Sequence, residues 1–334
     1  MVTIRDVARA AGVSVATASR ALHKDHLVAP DTRATVRSAA ERLHYTPHRG
    51  ARSLITSTTH TIGVLLPDHY GEFFSEVIRG LDQTAQAAGY HCLLSSARDG
   101  GPTLEAALRS MRGRVDGLVL MSPEFTGDLS KRALPDGFPV VLLNCPPTDA
   151  PHDSLTVANY EGAHAMVRHL AGLGHQRIAI IKGAEGNFDA AERLRGYRAA
   201  LREAGLPFAP ELAVSGNFSE AAGDAGARAL LRLADRPTAI FAANDGMAIG
   251  ALHALRDNGL RIPQDISIGG FDDIPMARYI EPALTSVHVD ISALGERAAA
   301  RLFSALERRG DRTFGRETLP TTLVVRRSCG ARGI

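Results

Sequence analysis

The apolar positions of this chain change period along its length. Near the N-terminus, Ile4, Val7, Ala8 and Ala11 fall at the i, i+3, i+4, i+7 spacing of one helical face. Thr3 stands at the N-cap position with Asp6 three residues on, a capping box with Asp in place of Glu. Gly12 follows the last periodic residue, where a positive φ closes a helix without a Cβ penalty. Ser14 is then placed to cap a second helix, from Val15 to Leu22 or His23. The pattern predicts helix, tight turn, helix, with Ala8 and Ala18 small enough for a close crossing. A third helix over 31–44 carries the stripe Val36, Ala39, Ala40 and Leu43; Pro30 suits its first position and Pro47 stops it. Residues 48–54, HRGARSL, form too short a stretch to hold a helix alone in water.

From Thr61 the texture differs. Apolar runs at 61–67, 90–96, 115–121, 139–144, 177–183, 238–244 and 266–272 alternate with amphipathic segments near 72–88, 103–112, 160–173, 190–204, 220–234 and 246–258. Such alternation is the mark of parallel sheet with crossover helices. The number of runs and a break near 160 predict two lobes. Strand-like segments at 285–290 and 320–326 flank a long helix near 292–309 and are predicted to cross between the lobes, near 288 and 320. The expected architecture is a small all-α helix-turn-helix headpiece (1–47), a hinge and linker (48–60), and an α/β body of two doubly wound lobes (61–334).

Charge changes the picture more than composition does. The 334 residues are 45% hydrophobic and 22% charged, ordinary for a globular protein, with a net charge of only +2. Residues 1–60, however, hold nine Lys/Arg against four Asp/Glu, whereas the remainder is slightly acidic. A basic headpiece on an acidic body fits a polyanion partner for the headpiece alone. The exposed residues of the second helix, Val15, Ala16, Thr17, Ser19 and Arg20, suit a major groove: small residues let the axis approach, and arginine reaches guanine edges or phosphate. The bland alternative is a helical hairpin with a solvated arginine. Cys92, Cys145 and Cys329 are far apart and form no CxxC pair, so they read as reduced thiols. An N-terminus charged within five residues and lacking an apolar stretch predicts no signal peptide, and no run reaches the roughly 20 apolar residues of a membrane span. A cytoplasmic location is expected. GxSxG, GxxxxGK[ST], HExxH and GxGxxG are all missing, so neither an enzyme nor a cofactor is predicted.

In doubly wound sheets, ligands bind beyond the carboxyl ends of the strands. Here the strand ends carry Asp68, Asn144, Asn244-Asp245 and Asp272-Asp273, and Arg193 heads a helix after GNFDAAE. Carboxylates accept paired hydroxyls and the arginine fork donates to adjacent oxygens, a set suited to a polyhydroxylated molecule. Asp68 and Asp272 also have the simpler reading of caps. Phe73 and Phe74 have the reading of core, although neighbours on a helix face about 100° apart and one can line a cleft.

The stretches TIRDVARAAGVSVATASRAL, VAPDTRATV, LHYTP and ARSL resemble the headpiece of the lactose/galactose repressor family of bacterial transcription regulators. The likeness extends over nearly the whole chain, since that family shares the periplasmic sugar-binding-protein fold of the body. Ala18 departs from it, standing where valine is more frequent. The resemblance implies a homodimer on double-stranded, pseudo-palindromic operator DNA. Its DNA contacts would fall on Thr3, Ser14, Val15, Ala16, Thr17, Ser19, Arg20, His26, Thr32, Tyr45, Arg52 and Leu54. It implies that 48–54 becomes helical on DNA and that Leu54 wedges into the minor groove, where Gly50 weakens the helix by about 1 kcal/mol against alanine. It also places Arg193, Phe218 and Asp245 on a small-molecule effector; the strand-end and helix-face reading adds Asp68, Phe73, Phe74, Asn144 and Asp272 to the same cleft. The implied activity is repression of carbohydrate genes under a sugar effector. A nucleobase effector is the alternative, and a transport-type binding protein or a sugar kinase are competitors from other classes. No leucine heptad follows Arg327, so the tetramer-forming bundle of the lactose repressor is not expected.

Overall fold

A computed structural model describes residues 2–23, 28–45, 58–97, 101–122, 125, 133–307 and 314–330. The chain forms two compact units, Met1–Thr59 and His60–Ile334.

In the first unit, α1 (Ile4–Ala10), α2 (Val15–His23) and α3 (Pro30–Arg42) enclose a small core of Val7, Ala8, Ala18, Ala21, Val36, Ala39 and Ala40. Gly12 takes φ +67 at the turn. Ala8 and Ala18 are buried, as a close crossing requires. The third helix ends two residues before the predicted limit, and Pro47 does not stop it. His44 adopts φ +49, and the N–H of Tyr45 reaches back to the Ala40 carbonyl at 2.9 Å. A left-handed residue with such a back-bond satisfies the last carbonyls and ends the helix.

The second unit holds two six-stranded sheets. The first contains β1 (Thr61–Leu66), β2 (His91–Ser96), β3 (Gly117–Leu120), β4 (Val140–Leu143), β5 (Asp153–Val157) and β11 (Arg316–Leu319), in the order β11-β5-β4-β3-β1-β2, every pair parallel. The second contains β6 (Ile178–Ile181), β7 (Ala213–Val214), β8 (Ala239–Ala242), β9 (Ser267–Asp272), β10 (Thr285–His288) and β12 (Thr322–Val324), in the order β12-β10-β9-β8-β6-β7. Only the β10–β12 pair is antiparallel. Between the strands lie α4 (Glu72–Ala87), α5 (Gly101–Met111), α6 (Asn159–Gly172), α7 (Phe188–Glu203), α8 (Glu220–Leu231), α9 (Asp245–Asp257) and α10 (Ile291–Glu307). The chain passes between the sheets three times: after β5, after β10 and after β11.

Three strands escape the apolar pattern, β5, β7 and β11. β5, DSLTV, alternates half-buried and buried positions rather than forming an apolar run, and β7 is two residues long. Of the strand predicted at 320–326 only β12 forms; β11 lies before the predicted bounds, with Pro320 between the two. A proline cannot donate to a ladder, so β11 ends before it in one sheet and β12 begins after it in the other.

The helices pack in pairs, α4 on α10, α6 on α7 and α8 on α9. Glycine sets the first approach. A Cβ on Gly80 would lie 2.1 Å from the Ser292 carbonyl oxygen, and one on Gly295 would lie 2.2 Å from that of Val77. Gly295→Ala is therefore expected to lower the stability of the body by about 1–3 kcal/mol, as overpacking does. A fall in its thermal midpoint checks this.

Candidate functional site

The first unit presents one helix with a short-chained outer face. Ser14 accepts the N–H of Thr17 at 3.0 Å and its hydroxyl lies 2.9 Å from that of Thr17, which fixes the start of α2. Val15, Ala16 and Arg20 are exposed, and Thr17 and Ser19 are half-buried. Val15, at 44% exposure, is an apolar side chain left facing water. Thr3 is exposed and donates its N–H and hydroxyl to the Asp6 carboxylate at 2.9 and 2.7 Å. Those bonds hold the Asp6 carboxyl below its ordinary value. Thr32 is half-buried, and Tyr45 packs on the headpiece core. His26, Arg52, Leu54 and the hinge segment 48–54 lie outside the described residues. Removing the cap by Ser14→Ala is expected to cost about 1 kcal/mol of headpiece stability, measurable by thermal unfolding of the headpiece.

In the body, the carboxyl ends of β6, β8 and β9 gather a buried polar cluster around one guanidinium. Asn187 caps α7 by accepting the Ala190 N–H at 2.9 Å, and this brings Arg193 to the sheet edge one turn later. Arg193 is 4% exposed. Its Nε donates to Asn159 Oδ1 at 2.8 Å, Nη1 to the Ala243 carbonyl at 2.5 Å and Nη2 to Asp272 Oδ1 at 3.1 Å. The guanidinium lies over the Phe271 ring, 3.7 Å from its centroid, and 5.9 Å from that of Phe218. Burial raises the Asp272 carboxyl to about 6 against the opposing pull of Arg193. Arg193 has five N–H groups, and three protein acceptors leave two for another molecule.

Asp189 belongs to the same cluster, although no predicted residue set contains it. Asn159 Nδ2 donates to its Oδ1 at 2.9 Å, and burial raises its carboxyl to about 6, with Arg193 pulling the other way. The sequence did carry a signal: Asp189 and Arg193 are i, i+4 on one helical face.

Asp245 is placed differently from the expectation of an effector contact. It is sealed from solvent; Oδ1 accepts the Ser286 hydroxyl at 2.6 Å and Oδ2 the Ile274 N–H at 2.9 Å. Burial and the neighbouring Asp272 charge push its carboxyl well up. In this conformation Asp245 is a strut that joins the start of α9 to β10 and to the turn after β9. Phe218 is half-buried at φ +72, with its ring filling the space over Gly183.

The first-lobe residues sit at the corresponding sheet edge. Asp68 accepts the N–H groups of His69 and Tyr70 at 2.6 and 3.1 Å, so it shapes the turn into α4 rather than capping the helix, whose N-cap is Gly71. Phe73 and Phe74 meet edge to face at 5.5 Å and both pack, half-buried, on the main core. Asn144 follows β4 at φ +47; it is 5% exposed and its Oδ1 has no hydrogen-bond partner. A buried acceptor without a partner is uncommon and calls for a donor. Its neighbour Cys145 is buried, and burial raises its thiol to about 12.

A family model for lacI-type bacterial regulatory proteins matches residues 3–48, and one for periplasmic binding protein-like domains matches 167–329. The HTH-type transcriptional repressor PurR of Pasteurella multocida is 34% identical over 334 residues, covering 99% of this chain and 100% of its own. The chain belongs to the lacI family. The ribose operon repressor of Escherichia coli K12 is 37% identical over 301 residues, covering 89% of this chain and 91% of its own. Among solved structures, the lac repressor dimer bound to operator and the anti-inducer ONPF superposes with a TM-score of 0.87 at 29% identity, covering 99% of both chains. A regulator named CelR in complex with cellobiose gives a TM-score of 0.73 at 30% identity, covering 98% of this chain. This lacI-family chain is a DNA-binding transcriptional repressor, and its relatives are repressors rather than enzymes.

Proposed function

We propose that this repressor binds a pseudo-palindromic operator as a homodimer and is controlled by an uncharged, hydroxyl-rich small molecule, a free sugar, held between the lobes of its body. The observation that carries the effector reading is the buried Arg193–Asp272 pair on Phe271 with Asp189 in the same cluster, and at the end of β4 in the first lobe the unpartnered Asn144 Oδ1. Most of these groups are acceptors, and vicinal hydroxyls supply donors to them while taking the two remaining guanidinium protons. The ribose-repressor likeness supports the same class. A nucleobase is the second reading, favoured by the PurR likeness over the full length and by the Phe218 ring as a stacking surface. Thermal-shift measurements with ribose, other pentoses and hexoses, and with adenine, guanine and hypoxanthine, followed by operator binding with the hit, separate the two.

On the DNA side, α2 lies in the major groove through Val15, Ala16, Thr17, Ser19 and Arg20, with Thr3, Ser14, His26, Thr32, Tyr45 and Arg52 on the backbone and Leu54 as the minor-groove wedge. The exposed Val15 methyls suit a thymine methyl. The homodimer reading is supported by exposed side chains on the second lobe: Met276 and Tyr279 are 44% and 76% exposed, and Ile280 after them lines a mixed groove with Ile249, Leu252, His253, Arg256, Asp257 and Glu281. Cytoplasmic location follows from the DNA partner.

Effector affinity is expected to depend on pH in one direction. A hydroxyl donated to Asp272 favours its charged form, so binding releases the proton that the free protein holds below about 6. Affinity therefore falls as pH drops through about 6, by up to about tenfold per unit for one linked proton. Titration calorimetry between pH 5 and 7.5 checks this, and Asp272→Asn flattens the Asp272 contribution.

A further inference from the structure

The two lobes touch through a hydrogen bond that the effector cluster does not use. Glu72, the first residue of α4 in the first lobe, accepts the backbone N–H of Met276 in the second lobe at 2.8 Å, across 204 residues of sequence. Met276 lies in the short 3-10 helix Pro275–Arg278 that follows β9. The first N–H groups of a helix have no partner within it. Here each is accounted for. The Ile274 N–H goes to Asp245 Oδ2 at 2.9 Å, Pro275 has none, and the Met276 N–H goes to Glu72. One turn is thus held by two carboxylates, one from the start of α9 and one from the opposite lobe. Its outer side carries the exposed Met276 and Tyr279 and leads into Ile280, which lines a groove of mixed apolar and charged residues.

We propose that Glu72 is a positioning residue, a latch that caps the 3-10 helix across the lobe boundary and ties lobe closure to the exposed face around Met276 and Tyr279. The bond needs no ligand, so it stands independently of which effector the cleft takes. Moving the lobes apart by more than the reach of the Glu72 side chain breaks this bond. Opening them leaves the Met276 N–H to water and frees the turn on one side, while Asp245 keeps its hold on the other. A negative charge in the first turn also favours α4 itself, and the glutamine variant separates that local effect from the latch, because Gln lacks the charge but keeps an oxygen acceptor.

The test uses the full-length chain without effector. Amide hydrogen exchange at Met276, followed by NMR, is expected to be at least tenfold faster in Glu72→Ala than in the wild type, with Ile274 unchanged because Asp245 still holds it. Glu72→Gln is expected to restore most of the protection. Small-angle scattering is expected to show a larger radius of gyration for Glu72→Ala and not for Glu72→Gln. Unchanged exchange at Met276, or equal acceleration at Ile274 and Met276, overturns the latch. So does a Gln variant that behaves like Ala, which assigns the effect to charge at the start of α4. Because neither readout requires an effector, failure of the sugar reading leaves the outcome intact.

Discussion

Operator affinity is expected to fall about a thousandfold or more when salt is raised from 50 to 200 mM. Each phosphate neutralised by a basic side chain releases condensed counterions, so the logarithm of affinity falls linearly with that of salt, with a slope of about 0.9 per contact. The first 60 residues carry nine basic side chains against four acidic ones. Arg5 and Arg9 on α1, Arg20 on α2, and Arg37 and Arg42 on α3 are exposed. Arg9 is 82% exposed and only loosely tied to Asp6 at 3.6 Å, so it is available to a phosphate. Four such contacts per headpiece, doubled in a dimer, give the six to ten contacts for which a loss of roughly 10³ to 10⁵ is typical over this salt range. The body, slightly acidic, offsets none of this. Fluorescence anisotropy with a labelled operator measures the slope. A flat dependence would exclude headpiece binding to the phosphate backbone. Arg20→Ala separates the two roles of that residue: loss confined to the specific operator marks a base contact, and equal loss on all sequences marks a phosphate contact.

Sequence pattern and structure agree where one element carries one periodicity. β3, β4, β6 and β8 are buried at every position, and each is an unbroken apolar run between turn residues. The headpiece was legible because its caps are local: Ser14 and Thr17 meet within one turn, as do Thr3 and Asp6. What stayed hidden depends on contacts distant in sequence. β5 earns its place by pairing with β4 on one side and β11, more than 160 residues later, on the other. Asp245 was legible as a strand-end acid, but its enclosure by Ser286 and Ile274 was not, since those partners come from β10 and the turn after β9, 41 and 29 residues later. The His44 stop was hidden because a non-glycine residue at positive φ leaves no mark in the apolar pattern. Glu72 reads as an ordinary first-turn acid until the fold brings Met276 to it.

Arg193→Ala is expected to abolish the effector response and to destabilise the body by about 3–5 kcal/mol. The side chain is buried and ties three elements: Asn159 at the start of α6, the Ala243 carbonyl after β8, and Asp272 at the end of β9. Removing it strands the Asp272 carboxylate without its cation, and breaking a buried pair from one side typically costs that much. It also bares the Phe271 ring, on which the guanidinium stacks at 3.7 Å. A domain of this size loses roughly 2–4 °C per kcal/mol, so calorimetry should show the body melting about 10 °C lower. The headpiece is a separate compact unit, and its own transition should not move. Loss of stability alone does not establish a binding role, and Asp272→Asn supplies the discriminating case. The amide occupies nearly the same volume and its oxygen can still accept from Arg193 Nη2, so the fold is largely spared. What it loses is the charge that strengthens bonds from ligand hydroxyls, worth roughly 1.5–3 kcal/mol each. Effector affinity should therefore fall at least tenfold while operator binding without effector stays near wild type, since Asp272 lies in the effector body and not in the headpiece. Full effector response in Asp272→Asn, at wild-type concentrations, would show that the cluster only holds the lobe together. Loss of response with the thermal midpoint intact would place the effector on it.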